Sequence, residues 1–287
     1  MYSLNEIATI GVAGAGSMGA GIAQLAALAG YEVQLYDIEA RKLENAITNI
    51  SKNLQGGVDR KKITAEDKTT AEARIHTSID LQSLSAGFII EAVVEKLDIK
   101  TLLFQEMAAI NSEKTILATN TSSIPISRIA REIPHPERVV GMHFFNPAHI
   151  MKLVEVIRGA ATDEKVAKVT FELAEKMGKK PVYAADSAGF IVNRVARPFY
   201  VEGLKVVEDG VAGFETVDKL LEGHGFKMGP FRLMDLIGVE ANFNVTQSMY
   251  ASFWQEPRFR PSRIQQQKVD AGLHGRKTGE GFYTYKT

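Results

Sequence analysis

An apolar run over residues 7–13 passes straight into Gly14-Ala15-Gly16-Ser17-Met18-Gly19, and that junction constrains the fold more than any other part of the chain. Residues 17–29 carry Met18, Ile22, Leu25, Ala26 and Ala29 at helical spacing. Gly30 ends this helix, and a second apolar run, 31–36, closes on Asp37. The order is strand, glycine-rich turn, helix, strand, acid. A lone GxGxxG would say little. With the strand before it, the helix after it and an acid about 20 residues on, it defines a dinucleotide-binding βαβ unit.

Each residue of the turn has a physical reason. Gly14 permits the tight bend, Gly16 lets backbone approach a pyrophosphate, and Gly19 lets helix and strand pack closely. Ser17 and Met18 open the helix, whose first amides and partial positive charge suit an anion. Asp37 would accept hydrogen bonds from the adenosine ribose and repel a 2′-phosphate, so NAD is expected rather than NADP. Arg41, one helical turn later, is the opposing feature. The expected class is α/β: a Rossmann-like, mostly parallel sheet.

Residues 139–145 and 153–157 read as two further strands, joined by a connection containing Pro147 that is too short for a crossover helix. Such strands are antiparallel neighbours. Each carries one residue foreign to an apolar run, His143 in the first and Glu155 in the second. A buried carboxylate is costly unless paired, and an imidazole one strand away is its natural partner. The same pair makes a general base, because the carboxylate fixes the tautomer and stabilises the imidazolium. A structural ion pair fits these two residues equally well.

Elsewhere in the first half, 39–54 and 65–74 look helical, separated by Gly56-Gly57 and by Arg60, Lys61 and Lys62. A helical hairpin projecting from the sheet is expected, its basic tip either a solvated turn or a phosphate contact. Alternation then resumes: a strand over 88–94 with Glu91 and Glu95 near its end, a helix containing Lys100, and a strand over 115–118 running into Asn120-Thr121-Ser122-Ser123. In an open parallel sheet, ligands sit beyond the carboxyl ends of the strands. Glu95 and Ser122 both fall there.

A helix over 163–177 and a strand over 181–184 precede a boundary, which divides the chain into 1–186 and 187–287. Beyond it the sequence reads as an all-α domain with helices over 190–210, 216–223, 239–253 and 262–271. Asn193 is a polar residue among Phe190, Ile191, Val192 and Val195, and Arg197 shares its face one turn on.

Composition removes other classes. The 287 residues carry 34 basic and 34 acidic side chains, formally neutral, with no sustained basic run to suit nucleic acid. No apolar stretch reaches the length of a membrane span. The first strand starts by Ile7, leaving no room for a signal peptide, and a cytoplasmic location is expected. Zero cysteines exclude disulfides and thiolate metal sites, and no metal-ligand spacing joins the histidines, so no metal is expected.

The order of motifs resembles the 3-hydroxyacyl-CoA dehydrogenase family over essentially the full length. The matching pieces are the Gly14–Gly19 turn, Asn120-Thr121-Ser122-Ser123, His143-Phe144-Phe145-Asn146-Pro147, Met151-Lys152-Leu153-Val154-Glu155-Val156 and Gly189-Phe190-Ile191-Val192-Asn193-Arg194. Met228-Gly229-Pro230-Phe231 and the closing Gly275-Arg276-Lys277-Thr278-Gly279-Glu280-Gly281-Phe282-Tyr283 complete it. The resemblance implies NAD-linked oxidation of an (S)-3-hydroxyacyl-CoA and a helical domain that forms a homodimer. It makes His143 the base and Glu155 its support. Ser122 and Asn193 hold the reacting oxygen and the thioester carbonyl. Glu95, Lys100 and Asn120 lie towards the nicotinamide, and Lys52 and Arg60 towards the CoA phosphates.

Ala188 departs from the proline usual before Gly-Phe, and Arg197 and Arg232 are unusual charges. Arg194-Val195-Ala196-Arg197-Pro198, Asn242-Phe243 and Phe253-Trp254-Gln255-Glu256 are similar to the branch that handles 3-hydroxyadipyl-CoA in phenylacetate breakdown. Arg197 is therefore expected to read the substrate's terminal carboxylate. Two rival readings remain at this level: a β-hydroxyacid dehydrogenase using a lysine of the second domain, and an NAD-binding structural protein of the crystallin kind.

Overall fold

In the computed structural model, which describes residues 2–285, β1 (Thr9–Ala13) leads into α1 (Ser17–Leu28) and β2 (Glu32–Tyr36). The hairpin α2 (Ala40–Asp59) and α3 (Ala65–Ala73) follows, then β3 (Ile75–Ser78), β4 (Phe88–Glu91), α4 (Leu97–Ile110), β5 (Ile116–Thr119) and α5 (Ile126–Ala130). β6 (Val139–Phe144), β7 (Leu153–Arg158), α6 (Glu164–Lys176) and β8 (Lys180–Ala185) complete the first of two compact units, Met1–Ser187.

The strands form one sheet in the order β3-β2-β1-β4-β5-β6-β7-β8. β6 and β7 are antiparallel, and the other neighbours run parallel. The central strands are covered on both faces, which is why they read as unbroken apolar runs: Ile10, Val12, Phe88, Ile89, Ile90, Leu117 and Ala118 are completely buried. The chain order reverses between β1 and β4, and at such a reversal the loops at the strand ends part to leave a crevice. The glycine turn and the segment after β4 both leave the sheet there.

Several boundaries differ from the sequence expectation. α2 runs through Gly56-Gly57 to Asp59 instead of stopping near Leu54. Leu43, Ala46, Ile50 and Leu54 are buried along one face and hold it, outweighing a cost of about 1 kcal/mol for each helical glycine. Gly57 also has a packing reason, since a Cβ there would lie 3.2 Å from Ile63. α3 starts at a capping box in which Thr64 and Asp67 satisfy each other's amides. β4 ends at Glu91 rather than Val94, because the Val93 amide turns back onto the Glu91 carboxylate.

The second unit, Ala188–Thr287, consists of α7 (Val192–Glu208), α8 (Phe214–Gly223), α9 (Pro230–Ile237), α10 (Val239–Ser252) and α11 (Arg263–Asp270). Among its described residues only isolated bridges occur, between Gly275 and Glu280 and between Glu280 and Thr284. Tyr200, Leu204, Phe231, Met234, Val239 and Phe282 form its core. α7 starts at Val192, not at 190, because Gly189 and Phe190 both take positive φ, 72° and 47°. α9 was not expected. Its first amides, from Phe231 and Arg232, donate to the carboxylate of Asp218 on α8, so its cap comes from another helix.

Candidate active site

The glycine turn can be read position by position. Gly14 has φ 104°, and a Cβ on it would come within 2.7 Å of the Ala92 carbonyl oxygen. A Cβ on Gly19 would sit 1.7 Å from the Gly14 oxygen, so the turn cannot close on α1 with any larger residue. Gly16 is different: nothing of the protein lies within 4 Å of where its Cβ would be. It also caps α1, where no side chain of the described residues closes the first turn. The bare surface at Gly16 and the uncapped amides fit a dinucleotide pyrophosphate. Asp37 is buried at the end of β2 and accepts from the Ala15 and Glu39 amides at 2.8 and 3.1 Å. It therefore staples the glycine turn to the end of β2. The cation beside it is Lys42, 4.0 Å away, rather than Arg41.

His143 and Glu155 lie directly opposite one another across the antiparallel β6–β7 pair. Their side chains meet, His143 Nδ1 to Glu155 Oε2 at 2.8 Å. His143 is 5% exposed and Glu155 completely buried. A carboxylate can only accept, so Nδ1 carries the hydrogen and the lone pair of the neutral ring is on Nε2. The Phe145 ring packs against the imidazole at a centroid distance of 4.5 Å. The connection that follows contains a cis Asn146–Pro147 bond. Lys179 fastens it by donating to the Ala148 and Met151 carbonyls at 2.6 and 2.9 Å.

Glu95 gathers the loop after β5. Its Oε1 accepts from Thr121 Oγ1 at 2.6 Å, from the Ser122 and Ser123 amides at 2.8 and 3.1 Å, and from the Ser123 and Ser122 hydroxyls at 3.2 and 3.3 Å. Its other oxygen is 3.3 Å from Lys100 Nζ. Burial alone would raise this carboxyl's pKa. The Lys100 ammonium and the Thr121 and Ser122 donors outweigh that and hold it below the usual range. Lys100 is 1% exposed, and its shorter contact is to Glu91, at 2.6 Å. Glu91 in turn accepts from Thr119 at 2.7 Å. In the sequence Glu91 is a strand-end acid, and an acid nine residues before a lysine gives no hint that the two pair in the buried interior. Asn120 Oδ1 accepts from the Phe144 amide at 2.8 Å, so it holds the backbone beside His143.

A groove of about 520 Å³ runs from Ala15, Gly16 and Ser17 along Asn45, Asn49 and Asn53 of α2 to Asn146, Pro147 and His149. The asparagines repeat every four residues, a one-face stripe on α2 that the sequence spacing already displays. Lys52 and Arg60 are exposed, one on α2 and one at its C-terminal end. Among the described residues no cluster of three or more His, Asp or Glu could hold a metal ion. In the helical unit, Asn193 and Arg197 do share a face of α7: Arg197 Nη2 donates to Asn193 Oδ1 at 3.3 Å. The Arg197 guanidinium also donates to the Asn242 carbonyl and to Thr246 Oγ1 of its own unit.

A doubly wound sheet with a glycine turn at its crevice, and a buried histidine–carboxylate pair on the same sheet, define a dinucleotide-binding α/β protein. The chain belongs to the 3-hydroxyacyl-CoA dehydrogenase family: residues 9–187 match the model of its NAD binding domain and 189–285 that of its C-terminal domain. It is 48% identical over 283 residues to the 3-hydroxyadipyl-CoA dehydrogenase of Escherichia coli K12, covering 98% of this chain and 60% of that protein. It thus spans well under two thirds of that relative. Against the 3-hydroxybutyryl-CoA dehydrogenase of Bradyrhizobium diazoefficiens the identity is 39%, with 98% and 96% of the two chains covered. The crystal structure of 3-hydroxybutyryl-CoA dehydrogenase from Escherichia coli K12 superposes with a TM-score of 0.94 at 47% identity, covering 98% of this chain and 60% of that one. No helix among the described residues is long and apolar enough to cross a membrane.

Proposed function

We propose that the chain catalyses the reversible NAD-linked oxidation of a short (S)-3-hydroxyacyl-CoA, such as 3-hydroxybutyryl-CoA or 3-hydroxyadipyl-CoA, to the 3-oxoacyl-CoA. The observation that carries this is the 2.8 Å contact between His143 Nδ1 and the completely buried Glu155 carboxylate. It leaves Nε2 as the base and places a negative charge where imidazolium will form. His143 takes the substrate hydroxyl proton at Nε2, and Glu155 stabilises the resulting cation. Bound NAD supplies the acceptor for the hydride that leaves C3. Ser122 and Asn193 donate to the C3 oxygen and the thioester carbonyl. One such preorganised donor is worth about 3 kcal/mol in the transition state.

The cofactor lies along Gly14, Gly16, Ser17, Met18 and Gly19, with Asp37 at the ribose and Glu95, Lys100 and Asn120 supporting its reactive end. The CoA moiety follows the groove along α2, its phosphates near Lys52 and Arg60. The enzyme acts in the cytoplasm as a homodimer formed through the helical unit. That unit exposes Val195, Leu220, Phe226, Leu236, Ile237 and Trp254, apolar side chains that a partner subunit would cover.

The deciding experiment measures NADH oxidation by the pure protein with acetoacetyl-CoA and 3-oxoadipyl-CoA side by side. Turnover of either supports the reaction class, and the higher kcat/KM assigns the acyl group. The 48% relative, which is named for the adipyl compound, makes that the expected preference. Turnover of neither overturns the reading.

A further inference from the structure

Arg197 is a buried charge whose cost needs a reason. It is 2% exposed, and among the described residues no carboxylate pairs with it. Its Nη1 donates to the Asn242 carbonyl at 3.1 Å and to Thr246 Oγ1 at 3.0 Å, and its Nη2 to Asn193 Oδ1 at 3.3 Å, while Nε has no partner. Thr246 Oγ1 also donates to the Asn242 carbonyl at 3.0 Å, and Gln265 holds the Asn242 amide oxygen at 2.9 Å. These bonds join α7, α10 and α11. Burial pulls the guanidinium down to about 10, which leaves it charged near neutrality. A buried cation facing only neutral acceptors is costly, and an apolar side chain of similar volume would join the helices at lower cost. Packing therefore does not account for it.

What the guanidinium does fix is an amide. It can only donate, so the atom of Asn193 that faces it is Oδ1, and the NH2 group points away as a donor. Without that constraint a side-chain amide can turn over and present its oxygen instead. We propose that Arg197 is a positioning residue that locks Asn193 with Nδ2 as the donor to the substrate's acyl oxygen. The inference rests on the reading of Asn193 as a substrate contact. The charge-assisted bond also polarises the amide, which strengthens the donor on its other side.

The test is a double-mutant cycle on the full chain, run with both acetoacetyl-CoA and 3-oxoadipyl-CoA. Removing a preorganised donor outright costs about 10²–10³ in kcat. Arg197→Met, which only loosens one, is expected to lower kcat about tenfold on both substrates, and Arg197→Lys to recover part of the loss. In an Asn193→Ala background, Arg197→Met should cost nothing more, because the residues act as one unit. Additive losses overturn the proposal and make Arg197 purely structural. A loss confined to 3-oxoadipyl-CoA overturns it in favour of direct recognition of the carboxylate. If Asn193→Ala alone leaves kcat intact, the active-site reading beneath it falls too. Should Arg197→Met not fold, Thr246→Val, which withdraws one acceptor from the guanidinium, must show the same non-additivity with Asn193→Ala. Additivity there counts against the proposal in the same way.

Discussion

At the scale of single residues, the site depends on side chains whose charge is held inside the sheet. On the proposed mechanism, replacing His143 by Gln should lower kcat by about 10³-fold while the NADH dissociation constant stays within a fewfold. Turnover close to wild type would move the chemistry to another residue. Glu155→Gln keeps the shape and still accepts from Nδ1 but withdraws the charge, so a loss of about 10²-fold in kcat is expected without unfolding. Lys179 gives a test by pH. Burial, helped by the nearby Lys152, lowers it from an ordinary 10.5 to about 8. Between those values the unfolded chain holds a proton that the folded chain has released, so stability rises with pH across the window and the penalty is fully present below about pH 8. The unfolding free energy of wild type relative to Lys179→Met should therefore climb on the order of 2–3 kcal/mol from pH 8 to 10.5. Parallel curves for the two proteins would show that Lys179 keeps its proton on the Ala148 and Met151 carbonyls.

At the scale of elements, the turn between β1 and α1 separates two uses of glycine. Gly19→Ala forces a Cβ onto the Gly14 carbonyl, and a thermal melt should show marked destabilisation. Gly16→Ala has open space, so it should melt like wild type and yet bind NADH at least tenfold more weakly, because the methyl occupies the pyrophosphate's approach. Equal affinity in calorimetry would dissociate Gly16 from the cofactor. The turn could be read directly because each requirement is local: strand, bend and helix are adjacent in the chain. α9 could not be read that way. Its capping carboxylate, Asp218, stands 13 residues before Phe231 on another helix, and such a partner leaves no mark in a local window. α2 likewise passes through two glycines because of the face it buries, which periodicity alone did not outweigh.

At the scale of the whole molecule, the exposed apolar residues of the helical unit carry the remaining prediction. Leu220→Glu combined with Phe226→Glu should shift a sedimentation profile from dimer towards monomer, with the melt of the isolated subunit retained. A wild-type chain that sediments as a monomer would remove the dimer from the proposal. The sequence by itself determined the α/β class, the dinucleotide turn, the antiparallel pair that brings His143 to Glu155, and the helical character of the second half. All of these rest on periodicity or on turns whose parts lie close along the chain. The tertiary structure alone decided which charges neutralise which. Lys100 is given to Glu91 as well as to Glu95, Lys179 to two carbonyls of a loop about 30 residues before it, and Arg197 to Asn193, Asn242 and Thr246. A sequence states the sign of a charge, but the partner that charge meets is set by burial, and burial is a property of the folded packing.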